Sequence, residues 1–409
     1  MPPRGPLLRV PYTDPLPPPT IIPASATTTN GAVAALVDFL APCLPRSTSP
    51  PASRHRASVP RPPQHADARG KTLLLTGAGI SVASGLADYR GVKGTYTLNK
   101  TYKPIYYNEF CSSHEARKRY WARSFLGWTN LERATPNSAH EACGRLGRMG
   151  VVGSVITQNV DSFHPLAHPE LPTTELHGYL RSLVCLSCHS AYPRRTFQAE
   201  LARLNPAWSA FLASILASGA LDTENPAERR AKGLRANPDG DVDVPNAPYS
   251  TFRYPACPVC VANTAGRASN SVGVGVSVSV DQDGAWHPAS TAGVLKPAVV
   301  MFGESIPLAT KRAAELAVDA AHRVLVVGSS LATYSAWRLV KRAKERGLPL
   351  GVLNVGGVRG EETFFGAPDE HVAAAAAAET ATHAVRVSES AEVVLPRVVA
   401  ALEEMRARA

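Results

Sequence analysis

The chain has 409 residues, of which 44% are apolar and 19% charged, with a formal net charge of +10 and 35 prolines. That length buries a sizeable core in roughly two domains. No run of about 18 apolar residues is present to cross a membrane as a helix, and no direct nucleic-acid partner is expected, because no segment carries a dense Lys/Arg stripe.

The first 66 residues hold six Arg, two Asp and no Glu, among many Ser, Thr and Pro. This composition fits an organelle transit peptide or a plain basic leader, and it shows no clean amphipathic helix. Residues 1–30 read as irregular and Ala32–Ala41 as a short apolar helix. Residues 42–70, with seven Pro and five Arg, read as an exposed linker that cannot offset its ordering entropy by burial. Residues 1–70 are therefore expected to be leader and linker, largely disordered.

Structure proper is expected to start at Lys71–Thr76 (KTLLLT), an apolar run suited to a strand buried on both faces. Val151–Thr157, Ala298–Phe302, Arg323–Val327 and Leu350–Asn354 repeat the pattern. Helical periodicity appears between them, at Ser113–Trp128 and Leu308–His322. Strands alternating with helices predict an α/β fold: a Rossmann-like parallel sheet over residues 71–178 and 296–409. The alternation breaks over 179–295, which reads as an inserted small module. Within it, residues 261–293 are Gly/Ser/Val/Ala-rich and read as a low-complexity loop; residues 367–386 are Ala-rich and read as loop or frayed helix.

Seven cysteines without a secretory signal point to a reducing compartment and away from a disulfide framework. Cys185/Cys188 and Cys257/Cys260 are two C-x-x-C pairs, the spacing that puts two thiolates on one metal. Together they predict a closed, structural zinc site, with a redox-active pair as the competing reading. The turn Gly77-Ala78-Gly79 after the first strand suits a nucleotide pyrophosphate. Val82 stands where the dehydrogenase fingerprint needs glycine, so a hydride-transfer enzyme is disfavoured. Asn159 and Asp161, just beyond the second strand, could hold a carboxamide; they suit an Asx turn or a helix cap at least as well. His177 is one of twelve histidines and nothing local distinguishes it.

Taken in order, the motifs say more. GAGIS and DYRG (within Gly77–Gly91), TQNVDSFH (Thr157–His164), ELHG (Glu175–Gly178), the two cysteine pairs, KPAVVMFGE (Lys296–Glu304), VGSSL (Val327–Leu331) and LNVG (Leu353–Gly356) follow one another as they do in sirtuins. Over roughly residues 71–360 the chain resembles this family of NAD-dependent protein deacylases. RKRYWARSFLGW (Arg117–Trp128), LNPAWS (Leu204–Ser209) and NPDGDV (Asn237–Val242) resemble its class II, mitochondrial branch.

The resemblance implies a Rossmann-like domain with a small module holding one structural Zn2+ on Cys185, Cys188, Cys257 and Cys260. It implies NAD contacts from Gly77, Ala78, Gly79 and Ile80, with Asp88, Tyr89 and Arg90 on a covering loop. Gln158, Asn159 and Asp161 would hold the ribose and nicotinamide, and Gly328, Ser329, Ser330, Asn354, Gly356 and Ala391 the adenosine half. His177 would be the general base that lets a ribose hydroxyl attack once the acyl oxygen has displaced nicotinamide, giving O-acyl-ADP-ribose. Acyl-lysine proteins would be the partners, pairing as an added strand along Val299–Glu304. Protein mono-ADP-ribosyl transfer at the same site is the alternative reaction. Tyr120 and Arg123, one helical turn apart, resemble the pair that grips the carboxylate of acidic acyl groups, and equally suit core packing beside an ion pair. The branch implies the mitochondrial matrix, with nucleus or cytoplasm as alternatives. Ala87 in place of a usual proline, and residues 165–170, depart from the family pattern.

Overall fold

The computed structural model describes residues 15–44, 71–91, 94–98, 102, 104–219, 235–236, 241–267, 277–366 and 384–408. Eleven strands run through these residues: β1 (Thr72–Thr76), β2 (Val152–Thr157), β3 (Thr173–Glu175), β4 (Gly178–Cys185), β5 (Ala191–Pro193), β6 (Arg235–Ala236), β7 (Val242–Asp243), β8 (Leu295–Val299), β9 (Arg323–Val327), β10 (Leu350–Leu353) and β11 (Ala384–Val387).

Six of them form one sheet in the order β11-β10-β9-β1-β2-β3, with every pair parallel. Its strands read as unbroken apolar runs because both faces are covered. Leu74 points into a core shared with helices Thr29–Leu40, Ser138–Arg148 and Ala391–Arg408. Leu73 and Leu75 point the other way, onto helices Leu308–Ala320 and Tyr334–Glu345. The chain leaves β1 toward β2 and β3 on one side, then returns to β9, β10 and β11 on the other. The order therefore reverses between β1 and β9, and a crevice opens beyond their carboxyl ends.

β4, β5 and β8 make a separate antiparallel sheet. It packs with helices His114–Arg133, Arg194–Leu204 and Pro206–Ala217 around a second core built on Trp121, Phe125, Phe197 and Phe252. This second unit reaches beyond the insertion expected at 179–295, because helix His114–Arg133 belongs to its core.

Four strand expectations fall within a residue of β1, β2, β9 and β10. Three segments need correction. The strand expected in the main sheet at Ala298–Phe302 is β8, which begins earlier and pairs with β4. A five-residue apolar run serves either sheet, and only the long-range pairing decides. Part of the Ala-rich 367–386 stretch is β11, whose Val385 and Val387 are buried in the sheet core; residues 367–383 lie outside the described set. In the expected low-complexity loop, helix Pro258–Arg267 and residues 277–293 take defined places. Trp286 stacks on Tyr254, ring centroids 5.9 Å apart, and donates its indole N–H to the Ala292 carbonyl at 2.9 Å.

The largest departure is at the N-terminus. Residues 1–14 and 45–70 lie outside the described set, but residues 15–44 are ordered and Thr29–Leu40 is a helix packed in the core. Thr28 caps it, its hydroxyl accepting from the Gly31 N–H at 3.1 Å. Leu36, Phe39 and Leu40 are buried against the sheet face that carries β10 and β11. Truncating a buried phenylalanine removes transfer energy and leaves a cavity. Phe39→Ala is therefore expected to lower the unfolding free energy by about 3–5 kcal/mol, read from urea melts. A change below about 1 kcal/mol would mean that the helix is not part of the core.

Candidate active site

At the crevice two glycine turns meet back to back. Gly79 N–H donates to the Gly328 carbonyl at 2.8 Å, and Gly77 N–H to the Val327 carbonyl at 3.2 Å. A Cβ on Gly328, whose φ is +60°, would come 2.3 Å from the Ile80 nitrogen. Glycine is required there both by backbone geometry and by the contact. The turn continues as a 3₁₀ helix, Ala78–Ser84, in which Ile80 N–H bonds the Gly77 carbonyl at 3.1 Å. Three turn N–H groups are thus spent on the fold and are not offered to a phosphate.

β2 delivers the next residues. Gln158 bridges the two turns, its side-chain amide donating to the Ser329 hydroxyl at 2.7 Å and the Thr76 carbonyl at 3.1 Å. Its Oε1 accepts from the Thr333 hydroxyl at 2.9 Å. Asn159 donates to the Gly77 carbonyl and to Ser81 Oγ. Ser81 in turn donates to Asp161 Oδ2 at 2.7 Å. Burial holds the Asp161 carboxyl above the usual carboxylate range.

His177 sits between β3 and β4. Its Nδ1 lies 3.0 Å from the Gln158 carbonyl, which can only accept, so Nδ1 carries the proton. Nε2 is then the basic nitrogen, accepting from the Ser335 hydroxyl at 2.8 Å. Burial pushes the imidazole below its ordinary value, with the Gln158 bond opposing in part. The ring is therefore neutral, and ready to accept a proton, at pH 7.

These groups line one cleft of about 1430 Å³, room for a dinucleotide and a second substrate together. Gly77, Ala78, Gly79, Asp88, Tyr89, Arg90, Gln158, Asn159, Asp161 and His177 border it, as do Gly328, Ser329, Ser330, Asn354, Gly356 and Ala391. Ile80 does not: it is fully buried in the sheet core beneath the turn. The 3₁₀ turn directs its side chain inward, away from the cleft. Asp88 closes the covering loop by accepting from Gly91 N–H at 3.1 Å, and burial pushes its carboxyl up and the Arg90 guanidinium down. Ser81, Thr333 and Ser335 escaped the sequence reading; Ser335 lies 158 residues from its partner and carries no local signal.

Tyr120 and Arg123 also reach the cleft, beside Tyr102, Ile105 and Asp241. Arg123 Nη2 is 2.7 Å from Asp241 Oδ2, and Nε is 4.0 Å from Asp243 Oδ1. Burial works against the guanidinium charge, and Asp241, Tyr102, Asp243 and Tyr249 together more than restore it, so the net direction is upward. The cation expected to await a carboxylate thus already faces one. Val299–Glu304, running on from the end of β8, also lines the cleft. Lys296, buried, holds this segment through Glu304 Oε2 at 3.0 Å, and Val300 N–H donates to the His177 carbonyl at 2.8 Å.

Outside the cleft, Cys185, Cys188, Cys257 and Cys260 converge, all sulfurs within 4.8 Å of one another. The Cys185–Cys260 and Cys188–Cys257 separations are both 3.6 Å. Four thiolates about 2.3 Å from a zinc ion sit about 3.8 Å apart at the corners of a tetrahedron, so the residues fit a structural Zn2+ with no open position.

A parallel-sheet crevice holding a histidine of fixed tautomer, and a separate cluster of four cysteines, together fit a nucleotide-using enzyme with a structural metal. Residues 77–335 match the Sir2 family. The chain is 40% identical over 297 residues to the NAD-dependent protein deacylase SIR4 of Batrachochytrium dendrobatidis, covering 72% of this chain and 83% of that protein. It is 34% identical to the NAD-dependent protein deacylase SRT2 of Arabidopsis thaliana, covering 71% and 68%. With the NAD-dependent protein deacetylase of Bordetella bronchiseptica the identity is 35%, covering 71% and 86%. This chain belongs to the Sir2 family.

Two outcomes follow. With His177 as the base, its burial-lowered imidazole should keep kcat/KM level to a lower pH than an ordinary histidine would before it falls; a decline that begins well above neutrality would contradict that role. Purified protein should carry about one zinc per chain, lost with a drop in Tm in Cys257→Ser; a metal-free protein of unchanged Tm would refute the site.

Proposed function

We infer that the chain is an NAD-dependent protein deacylase that moves an acyl group from lysine to ADP-ribose, releasing nicotinamide. One observation carries this reading: a single cleft joins the base nitrogen of His177, the Asn159–Asp161 pair and the Val299–Glu304 edge. NAD, when bound, supplies a ribose carbon able to part from nicotinamide and hydroxyls able to receive the acyl group. The chain's own residues supply the rest. Asn159 and Asp161 are pre-set by Ser81, so they orient a carboxamide without reorganising. His177 Nε2 accepts a proton from a hydroxyl in the cleft, and the Gln158 carbonyl, bonded to Nδ1, stabilises the charge that results. Val299–Glu304 borders the cleft mouth, where an extended acyl-lysine peptide can lie along it.

The acyl end is bounded by the Arg123–Asp241 pair, which presents both signs of charge. This favours uncharged acyl chains, since a carboxylate has to compete with Asp241 for the guanidinium. The class II branch rests on the Arg117–Trp128 block. A mitochondrial-matrix location is supported by Arg4 and Arg9 in the otherwise uncharged residues 1–13; a full-length fluorescent fusion found in nucleus or cytoplasm would oppose it.

The test is a panel of acyl-lysine peptides with NAD. Wild type should release nicotinamide with acetyl and longer neutral acyl groups. Asp241→Asn should raise the relative turnover of succinyl and glutaryl peptides about tenfold, the equivalent of about 1.4 kcal/mol, and Arg123→Ala should abolish that gain. No release with any peptide would sink the deacylase reading, and label from NAD appearing on a protein would instead indicate ADP-ribosyl transfer.

A further inference from the structure

We propose that Leu16–Ile22, ahead of the first helix, forms the outer wall of the adenosine end of the cleft, with Leu16 as a cofactor-contacting side chain. The inference rests on the NAD reading above and adds to it a segment that the family match, residues 77–335, does not include.

The segment is tied down at two points. Thr20 N–H donates to Glu361 Oε1 at 2.9 Å. Ile22 and Arg386 exchange backbone hydrogen bonds of 3.0 and 2.8 Å, an antiparallel bridge on the outer edge of β11. Both anchors belong to one buried ion pair: Arg386 Nε is 2.7 Å from Glu361 Oε1, and neither side chain is more than 1% exposed. Such a pair is costly unless its remaining hydrogen-bonding atoms are satisfied. Here Arg386 Nη1 donates to the carbonyls of Asn354 (3.1 Å) and Val387 (2.8 Å), and Glu361 Oε2 accepts from Val358 N–H at 3.0 Å. The node that shapes the Asn354–Val358 turn therefore also fixes the N-terminal segment beside it.

Two adjacent glycines record how close the segment lies. Gly356 has φ +80° and open space around a would-be Cβ, so its own backbone asks for glycine. Gly357 has no such backbone demand. A Cβ there would come 1.7 Å from the Pro17 carbonyl oxygen and 3.4 Å from Leu16 Cβ. Gly357 is glycine because Leu16 and Pro17 pass over it. Leu16, half-buried, then faces the cleft next to Asn354, Val355 and Gly356. Val355 is 59% exposed, an apolar side chain left open on the same rim. Leu16 and Val355 together offer the two apolar contacts that a flat purine would cover, while Asn354 supplies polar atoms at its edge.

The experiment uses full-length Leu16→Ser and Gly357→Ala. KM for NAD and for an acyl-lysine peptide are measured, with the calorimetric Kd of ADP-ribose as a binding probe that needs no turnover. Loss of the Leu16 contact should raise both NAD KM and ADP-ribose Kd about three- to tenfold, with peptide KM and kcat within about twofold. Gly357→Ala, which lifts the segment from the turn, should shift the same constants in the same direction. An unchanged ADP-ribose Kd in folded Leu16→Ser protein overturns the proposal, as does a loss spread equally over NAD, peptide and Tm, which marks a purely structural segment. Failure of the NAD reading looks different: wild type itself then binds no ADP-ribose and releases no nicotinamide.

Discussion

The cleft depends on a contact that contains no side chain. Gly79 and Gly328 bring the turns after β1 and β9 together through bare backbone, amide to carbonyl at 2.8 Å. Because the turns touch, Gln158 can span them and reach both Thr76 and Ser329. Because Gln158 is held at both ends, its main-chain carbonyl is a fixed acceptor for His177. The base thus inherits its tautomer from a glycine contact, through a run of short hydrogen bonds with little slack. A side chain at either glycine would part the turns first and misplace the histidine second.

The inserted module serves the same residue from the other end. β4 begins one residue after His177 and ends at Cys185, a zinc ligand. β8 pairs with β4 and runs on into Val299–Glu304, with Val300 bonded back to the His177 carbonyl. A zinc ion on Cys185 would tie down one end of β4, whose other end adjoins His177 and the proposed peptide edge. With four cysteine ligands a bound zinc would have no open position, and its part would be structural.

Much of this was legible in the sequence, and the exceptions share a cause. β1, β2, β9 and β10 announce themselves because strands covered on both faces are continuous apolar runs. The cysteine pairs announce the metal through spacing alone. The role of His177 was legible only from its place among ordered motifs, since no neighbour in sequence sets it apart. What was hidden was set by distant partners. Ala32–Ala41 reads as a helix, but nothing local says that β10 and β11 lie beneath it. β8 reads as a strand without saying in which sheet. The side chain of Ile80 turns inward under the 3₁₀ turn, and Arg123 suits a carboxylate ligand or an ion pair equally until Asp241, 118 positions on, folds against it.

The central claim is acyl transfer to ADP-ribose through His177, as distinct from simple hydrolysis or passive NAD binding. Mass analysis of the small-molecule products of one acyl-lysine peptide, for wild type and His177→Ala, tests it most directly. Wild type should give one O-acyl-ADP-ribose and one nicotinamide for each lysine freed, and a His177→Ala protein that still binds ADP-ribose should give none. Free carboxylic acid in place of the acylated nucleotide, or undiminished product without His177, would contradict it.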